Sequence, residues 1–191
     1  MNHGLSFTAE SVPFAIPKTA TREFMPVDVA EVAAPRGNWT LPAVNEVRLG
    51  LILSDYSANW HSSRGLLSID VSAGSLSICE FNRPRRMEMR NPASVACALL
   101  RNEILEQALH DSRQPRVELQ ERHGLQDQTM RRLMEILLYE KRQGFQSGVF
   151  FLEGIAAALA SHLIHYYSVD APLVTNSIGG MAPLLSVGAS H

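Results

Sequence analysis

The chain has 191 residues, is 46% hydrophobic and carries a net charge of −2. Its length fits one domain, or one domain with a helical appendix, and its apolar content excludes global disorder. No basic stripe accompanies this charge balance, so composition gives no support for nucleic-acid binding by the chain itself.

Residues 1–45 contain Pro13, Pro17, Pro26, Pro35 and Pro42. Proline removes a backbone donor and biases its predecessor to extended shapes. This segment is expected to be an irregular arm with one short strand, lying across the body through Phe14, Ile16, Phe24, Met25 and Trp39. No basic region followed by an apolar run opens the chain, so no secretory signal is expected.

Residues 46–100 read as strands. Val47, Leu49, Leu51 and Leu53 alternate, as do Leu67, Ile69 and Val71, then Leu76 and Ile78, Met87 and Met89, and Val95, Cys97 and Leu99. Ser72-Ala73-Gly74, Asn82-Arg83-Pro84 and Asn91-Pro92 punctuate them. Short period-2 strands with turns between them indicate a β-sandwich or a small barrel.

Asn102 is a candidate cap for a short helix over 103–110, and Val117 and Leu119 mark a further short strand. His123-Gly124 reads as a break. Asp127 then stands at an N-cap position, and Met130, Leu133, Met134, Leu137 and Leu138 follow at helical spacing up to Gly144. A second helix starts at Ser147. Along it Val149, Leu152, Ala156, Leu159, Leu163 and Tyr166 step as a heptad-like seam and are the candidate dimerisation residues. The short connection makes the two helices antiparallel neighbours. Phe150, Phe151, Ile155 and Ala158 lie off the seam, and this surplus of apolar surface favours pairing of two copies over a purely intrachain core. Glu153 in the same stretch argues against a membrane span.

The second half resembles the sensor region of AraC-type transcription regulators. The likeness is carried by Leu125-x-Asp127, Leu133-x-x-x-Leu137-x-x-Glu140, Gly144, Ser147-Gly148, Ala158 to Ile164, Tyr166-Tyr167 and Gly179-Gly180-Met181-Ala182-Pro183; Asp70 to Ser77 resembles the family's strand–turn–strand more loosely. The resemblance implies an α+β chain. A cupin-like β-barrel (a double-stranded β-helix) over 46–124 would bind an unidentified small-molecule effector. An antiparallel two-helix hairpin over 125–169 would form a homodimer, and 170–191 would be a hinge remnant. In the family a DNA-binding domain follows the hinge proline. Here Leu184 to His191 has no helix-turn-helix pattern, so the chain is expected to be a truncated regulator without DNA binding of its own.

Within the barrel, Trp60 and His61 follow a turn-like Ser57-Ala58-Asn59 and, with Cys79 and Arg86, are candidate ligand-binding residues: an effector pocket is apolar with a few polar anchors. His61 is the single histidine in 46–100, too few to build a cupin metal site, so no metal or other cofactor and no catalytic residue is expected. His162 and His165 read as a helix-contact pair, with zinc binding the less favoured reading. Arg83, Arg85, Arg86 and Arg90 read as a solvated edge countered by Glu80 and Glu88, with an anion site the alternative. Cys79 and Cys97 show no C-x-x-C spacing and are expected to be buried, reduced thiols of a cytoplasmic protein. The competing readings are a small cupin-fold enzyme and a non-catalytic interaction module.

Overall fold

A computed structural model describes residues 12–13, 25–41, 43, 46–62, 65–79, 84–112 and 119–168. The Gly179 to Pro183 hinge motif, the tail after it, Arg83, Glu80 and Val117 lie outside the described residues.

The strands are β1 (Val12–Pro13), β2 (Val27–Ala34), β3 (Gly37–Leu41), β4 (Val47–Ile52), β5 (Tyr56–Ser62), β6 (Gly65–Val71), β7 (Leu76–Cys79), β8 (Arg85–Met89), β9 (Ala93–Leu100) and β10 (Arg122–Leu125). The helices are α1 (Asn102–Ser112), α2 (Gln128–Arg142) and α3 (Val149–Tyr167). One sheet runs β1-β3-β8-β5-β6 and the other β10-β7-β4-β9-β2. Apart from the parallel β1–β3 pair, the neighbours are antiparallel. The class is α+β, as expected. The closed barrel is corrected to two five-stranded sheets, with no backbone ladder joining them among the described residues.

Three further expectations are corrected. The segment before residue 46 supplies strands to both sheets. Pro26 and Pro35 bound β2 on either side, while Pro13 lies within the two-residue β1. Ser57-Ala58-Asn59 is strand, not turn, because β5 is ladder-paired on both sides, Ala58 lying opposite Ile69 and Met89. The break at His123-Gly124 is a bulged strand, in which Gly124 adopts a positive φ of 70° between two pairs that shift register.

The β4-centred sheet is covered on both faces, so every residue of β4 and β7 is buried. Alternation sorts them. Val47, Leu49, Leu51, Leu76, Ile78, Ala96, Ala98 and Leu100 form one core with the helices. Ile52, Cys79, Ala93 and Cys97 face the other way and meet Trp39, Tyr56, Ala58, Trp60 and Met89 of the opposite sheet in a second core. The layers are therefore sheet, sandwich interior, sheet, helices.

α2 begins at Asp127, whose side chain accepts from the Met130 N–H at 2.9 Å, the N-cap expected from sequence. α2 buries Met130, Met134, Leu137 and Leu138. α3 has the length and apolarity of a membrane-crossing helix, yet one side of it completes the helix-side core. That side holds Leu152, Ala156, Leu159 and Leu163, all fully buried. Four of the six seam residues assigned to dimer pairing are thus intrachain core. An apolar stripe marks a face that is buried without saying against what. Only the end residues of the seam, Val149 and Tyr166, are exposed.

Candidate functional site

The interior between the sheets is incompletely filled. It leaves about 60 Å³ open to the centre of a water molecule and about 580 Å³ of unfilled space when the mouth is counted. One wall is a row running across the first sheet, in which Trp39 and Trp60 each lie opposite Met87. Both tryptophans of the chain therefore line the same cavity. The facing wall is built on β4. Gly50 lies opposite Ser77 on one side and Cys97 on the other, and Arg48 lies opposite Cys79. A Cβ on Gly50 would come within 2.5 Å of Ser77 Oγ, so glycine keeps this wall flat.

The polar end lies where β10 approaches the first sheet. The ring of His123 meets Trp60 edge-on at 4.6 Å between centroids. Arg85 Nη2 lies 3.7 Å from Glu121 Oε2, and His123 Nε2 lies 3.5 Å from Glu121 Oε1. Side chains thus join two sheets whose backbones do not pair there. Trp60 Nε1 and the His123 ring are buried beside the Glu121 carboxylate, which they meet at long range, and Trp60 and His123 also line the cavity. Burial pushes the Glu121 carboxyl up, but His123, Arg85 and Trp60 outweigh it and hold it below the ordinary glutamate range.

Burial pushes the Cys79 thiol up to about 11, against the lowering pull of Arg48. Cys97 is pushed up to about 12, first by burial and then by Cys79. Tyr56, also on the cavity wall, is raised by burial and by the two thiols, so its hydroxyl keeps its proton. Cys79 and Cys97 are free. They sit on the strands either side of β4, roughly 10 Å apart at strand spacing and outside disulfide reach.

Of the four ligand-binding candidates, Trp60 and Cys79 line this cavity. His61 and Arg86 are exposed and paired with each other on the outer face of the first sheet. Alternation requires this: with Trp60 inward, His61 points outward. The arginine cluster does not converge either. Arg85 is buried against Glu121, and Arg90 pairs with Asp70 at 3.1 Å on the surface. His162 and His165 do not share a polar site: His162 contacts Asp127, His165 is exposed, and both rings lie against Tyr166, His165 edge-on at 4.5 Å. Among the described residues no three of His, Cys, Asp and Glu cluster as metal ligands. Trp39, Arg48, Tyr56, Glu121 and His123 come from segments with no local mark of a shared site.

No protein-family model and no curated protein matches this chain. Solved structures do match. The AraC-like transcriptional activator CuxR aligns over 76% of this chain and 54% of its own, with a TM-score of 0.52 and 11% identity. ToxT from Vibrio cholerae aligns over 81% of this chain and 61% of its own, with a TM-score of 0.50 and 10% identity. A cupin domain from Bordetella pertussis tohama i aligns over 39% of this chain and 81% of its own, with a TM-score of 0.34 and 9% identity. The chain thus spans little more than half the length of the two AraC-like proteins, and at these identities the likeness shows the fold alone.

Proposed function

We propose that this chain is the effector-binding domain of an AraC-type transcription regulator, that it takes a small molecule between its sheets, and that it catalyses no reaction. The cavity carries this reading: aromatic and thioether walls, the polar side chains Arg48, Trp60 and His123 on its lining, and unfilled space in an otherwise packed interior. The fold likeness to CuxR and ToxT supports the regulatory context. The raised thiols support a binding role over a nucleophilic one, since the thiolate is the reactive form. Effector binding would act by shifting the balance between arrangements of the sandwich and helices.

Self-association is part of the same proposal, on a surface that keeps only the two end residues of the seam. Phe150 is 89% exposed and Tyr139 61%, and Val149, Phe151 and Tyr166 are exposed too. Such an apolar surface on a helical pair suits a second copy.

The test is native mass spectrometry of the purified chain against a fractionated metabolite extract, followed by thermal denaturation with each hit. A ligand at 100 times its Kd adds about 2.7 kcal/mol. Val95→Phe, which places a ring in the cavity, is expected to abolish binding while the protein stays folded. Hits that bind Val95→Phe as well as the parent protein would remove the cavity from the reading.

A further inference from the structure

β4 carries a graded row of residues into the cavity. Alternation turns Val47, Leu49 and Leu51 toward the helices, and Arg48, Gly50 and Ile52 toward the sandwich interior, where all three line the cavity. At strand rise the row is roughly 13 Å long. It runs from a guanidinium, past a bare glycine, to an isoleucine. Arg48 is only 6% exposed. Among the described residues no Asp or Glu lines the cavity, and Arg48 is the one permanently charged side chain that does. The Glu121 carboxylate is off the lining and is held by Arg85 and His123. Burial raises Cys79 and Cys97, on the strands either side of β4, and in both the Arg48 charge pulls the other way. The guanidinium is thus felt on both flanks of the wall.

We infer that the effector is an aromatic monocarboxylate, its carboxylate taken by Arg48 and its ring held between Trp39, Trp60 and the Gly50 wall. This rests on the reading of the cavity as an effector site.

Three observations select this class. A buried guanidinium in an otherwise apolar lining sets the sign of the ligand: a cation would be repelled, and a neutral apolar molecule would leave the charge in a drier medium than before. Arg48 already makes interactions inside the protein, and a planar fork of five N–H donors can serve those and a carboxylate together. The shape of the slot sets the body: Trp39 and Trp60 each lie opposite Met87, and the facing wall is kept flat at Gly50, so a planar ring can stack on indole and touch thioether. The single cation sets the charge, since a second carboxylate would stand among apolar side chains.

Both tryptophans of the chain line the cavity, so intrinsic tryptophan fluorescence reads its occupancy directly. The experiment is a fluorescence titration at about pH 7, where a carboxylic acid is ionised. It uses three probes: benzoate, the isosteric and neutral benzamide, and hexanoate, which has the charge without the ring. Benzoate is expected to bind at least about tenfold tighter than benzamide, as befits hydrogen bonds between charged groups, and tighter than hexanoate. In Arg48→Met the preference for benzoate over benzamide is expected to vanish, with benzamide binding and circular dichroism unchanged. Arg48→Lys, which keeps the charge and loses the fork, is expected to retain only part of the preference and serves if Arg48→Met does not fold. Equal binding of benzoate and benzamide to the parent protein would overturn the anion class and leave Arg48 a residue of the fold alone. A preference that survives in Arg48→Met would overturn the assignment of the carboxylate to Arg48. Hexanoate binding as tightly as benzoate would overturn the ring. Binding by none of the three would overturn the ligand class, while the cavity itself is judged separately by the extract and Val95→Phe experiment.

Discussion

His162 Nε2 lies 2.6 Å from Asp127 Oδ2, tying the last turns of α3 to the first residue before α2. The same carboxylate oxygen accepts from the Tyr167 hydroxyl at 2.7 Å, and the other oxygen caps α2 through the Met130 N–H. One aspartate thus serves a helix start and an interhelical latch. The carboxylate accepts, so His162 Nε2 donates.

Removing that side chain separates the two jobs. Asp127→Ala loses the cap, worth about 1 kcal/mol, and two further hydrogen bonds to a charged acceptor. A total loss of about 3 kcal/mol is expected in urea denaturation. Asp127→Asn keeps the cap, because asparagine caps as well as aspartate, and is expected to cost about half as much. Equal losses in the two variants would mean that the latch contributes nothing.

The same latch makes stability depend on acid. Burial pushes the Asp127 carboxyl up, but the Met130 N–H, His162 and Tyr167 outweigh it, so its folded value lies below the ordinary one of about 3.9. Glu121 is lowered as well. A lowered carboxyl contributes its full stabilisation above its unfolded value and loses it as pH falls toward the folded one. The urea midpoint is therefore expected to be flat in this respect above about pH 5 and to drop below about pH 4. Asp127→Asn should show a shallower acid limb; an identical limb would exclude Asp127 as a contributor.

Much of the fold could be read from periodicity. The strand alternation from Val47 to Leu99, the N-cap at Asp127 and the two helices are local patterns, and local physics produces them. The site was less legible. Trp60 and Cys79 stood in the strand pattern, but whether Trp60 or its neighbour His61 faces inward depends on the pairing of Ala58 with Met89, which links residues 31 apart. Arg48, Tyr56 and His123 each come from a different strand, and only the topology brings them together. His123 was obscured further by Gly124, whose positive φ makes a bulge where the dipeptide suggests a break.

The thiols give a third test. With Cys79 and Cys97 buried and pushed up to about 11 and about 12, an aromatic disulfide reagent at pH 8 finds almost no thiolate in the folded protein. Both are expected to react only at the rate of unfolding, and both to react promptly in denaturant. Fast modification of either in the native protein would place it in a more open environment than the sandwich interior. A saturating cavity ligand is expected to slow the reaction further, since it stabilises the folded state.

The helical pair separates core from surface in the fourth. Leu159 is fully buried, and Leu159→Ala is expected to cost 2–5 kcal/mol as an order-of-magnitude range for a core leucine. Phe150 projects from the opposite side, and Phe150→Ser is expected to change the stability of the isolated protomer by no more than about 0.5 kcal/mol. If two copies pair through the exposed face, the same substitution should turn a dimer into a monomer in sedimentation velocity at micromolar concentration. Leu159→Ala should lower the melting temperature without a proportionate change in association. The reverse pattern, with Leu159→Ala dissociating a dimer that Phe150→Ser leaves intact, would return the pairing surface to the seam and contradict the burial of that leucine against α1, α2 and the β4-centred sheet.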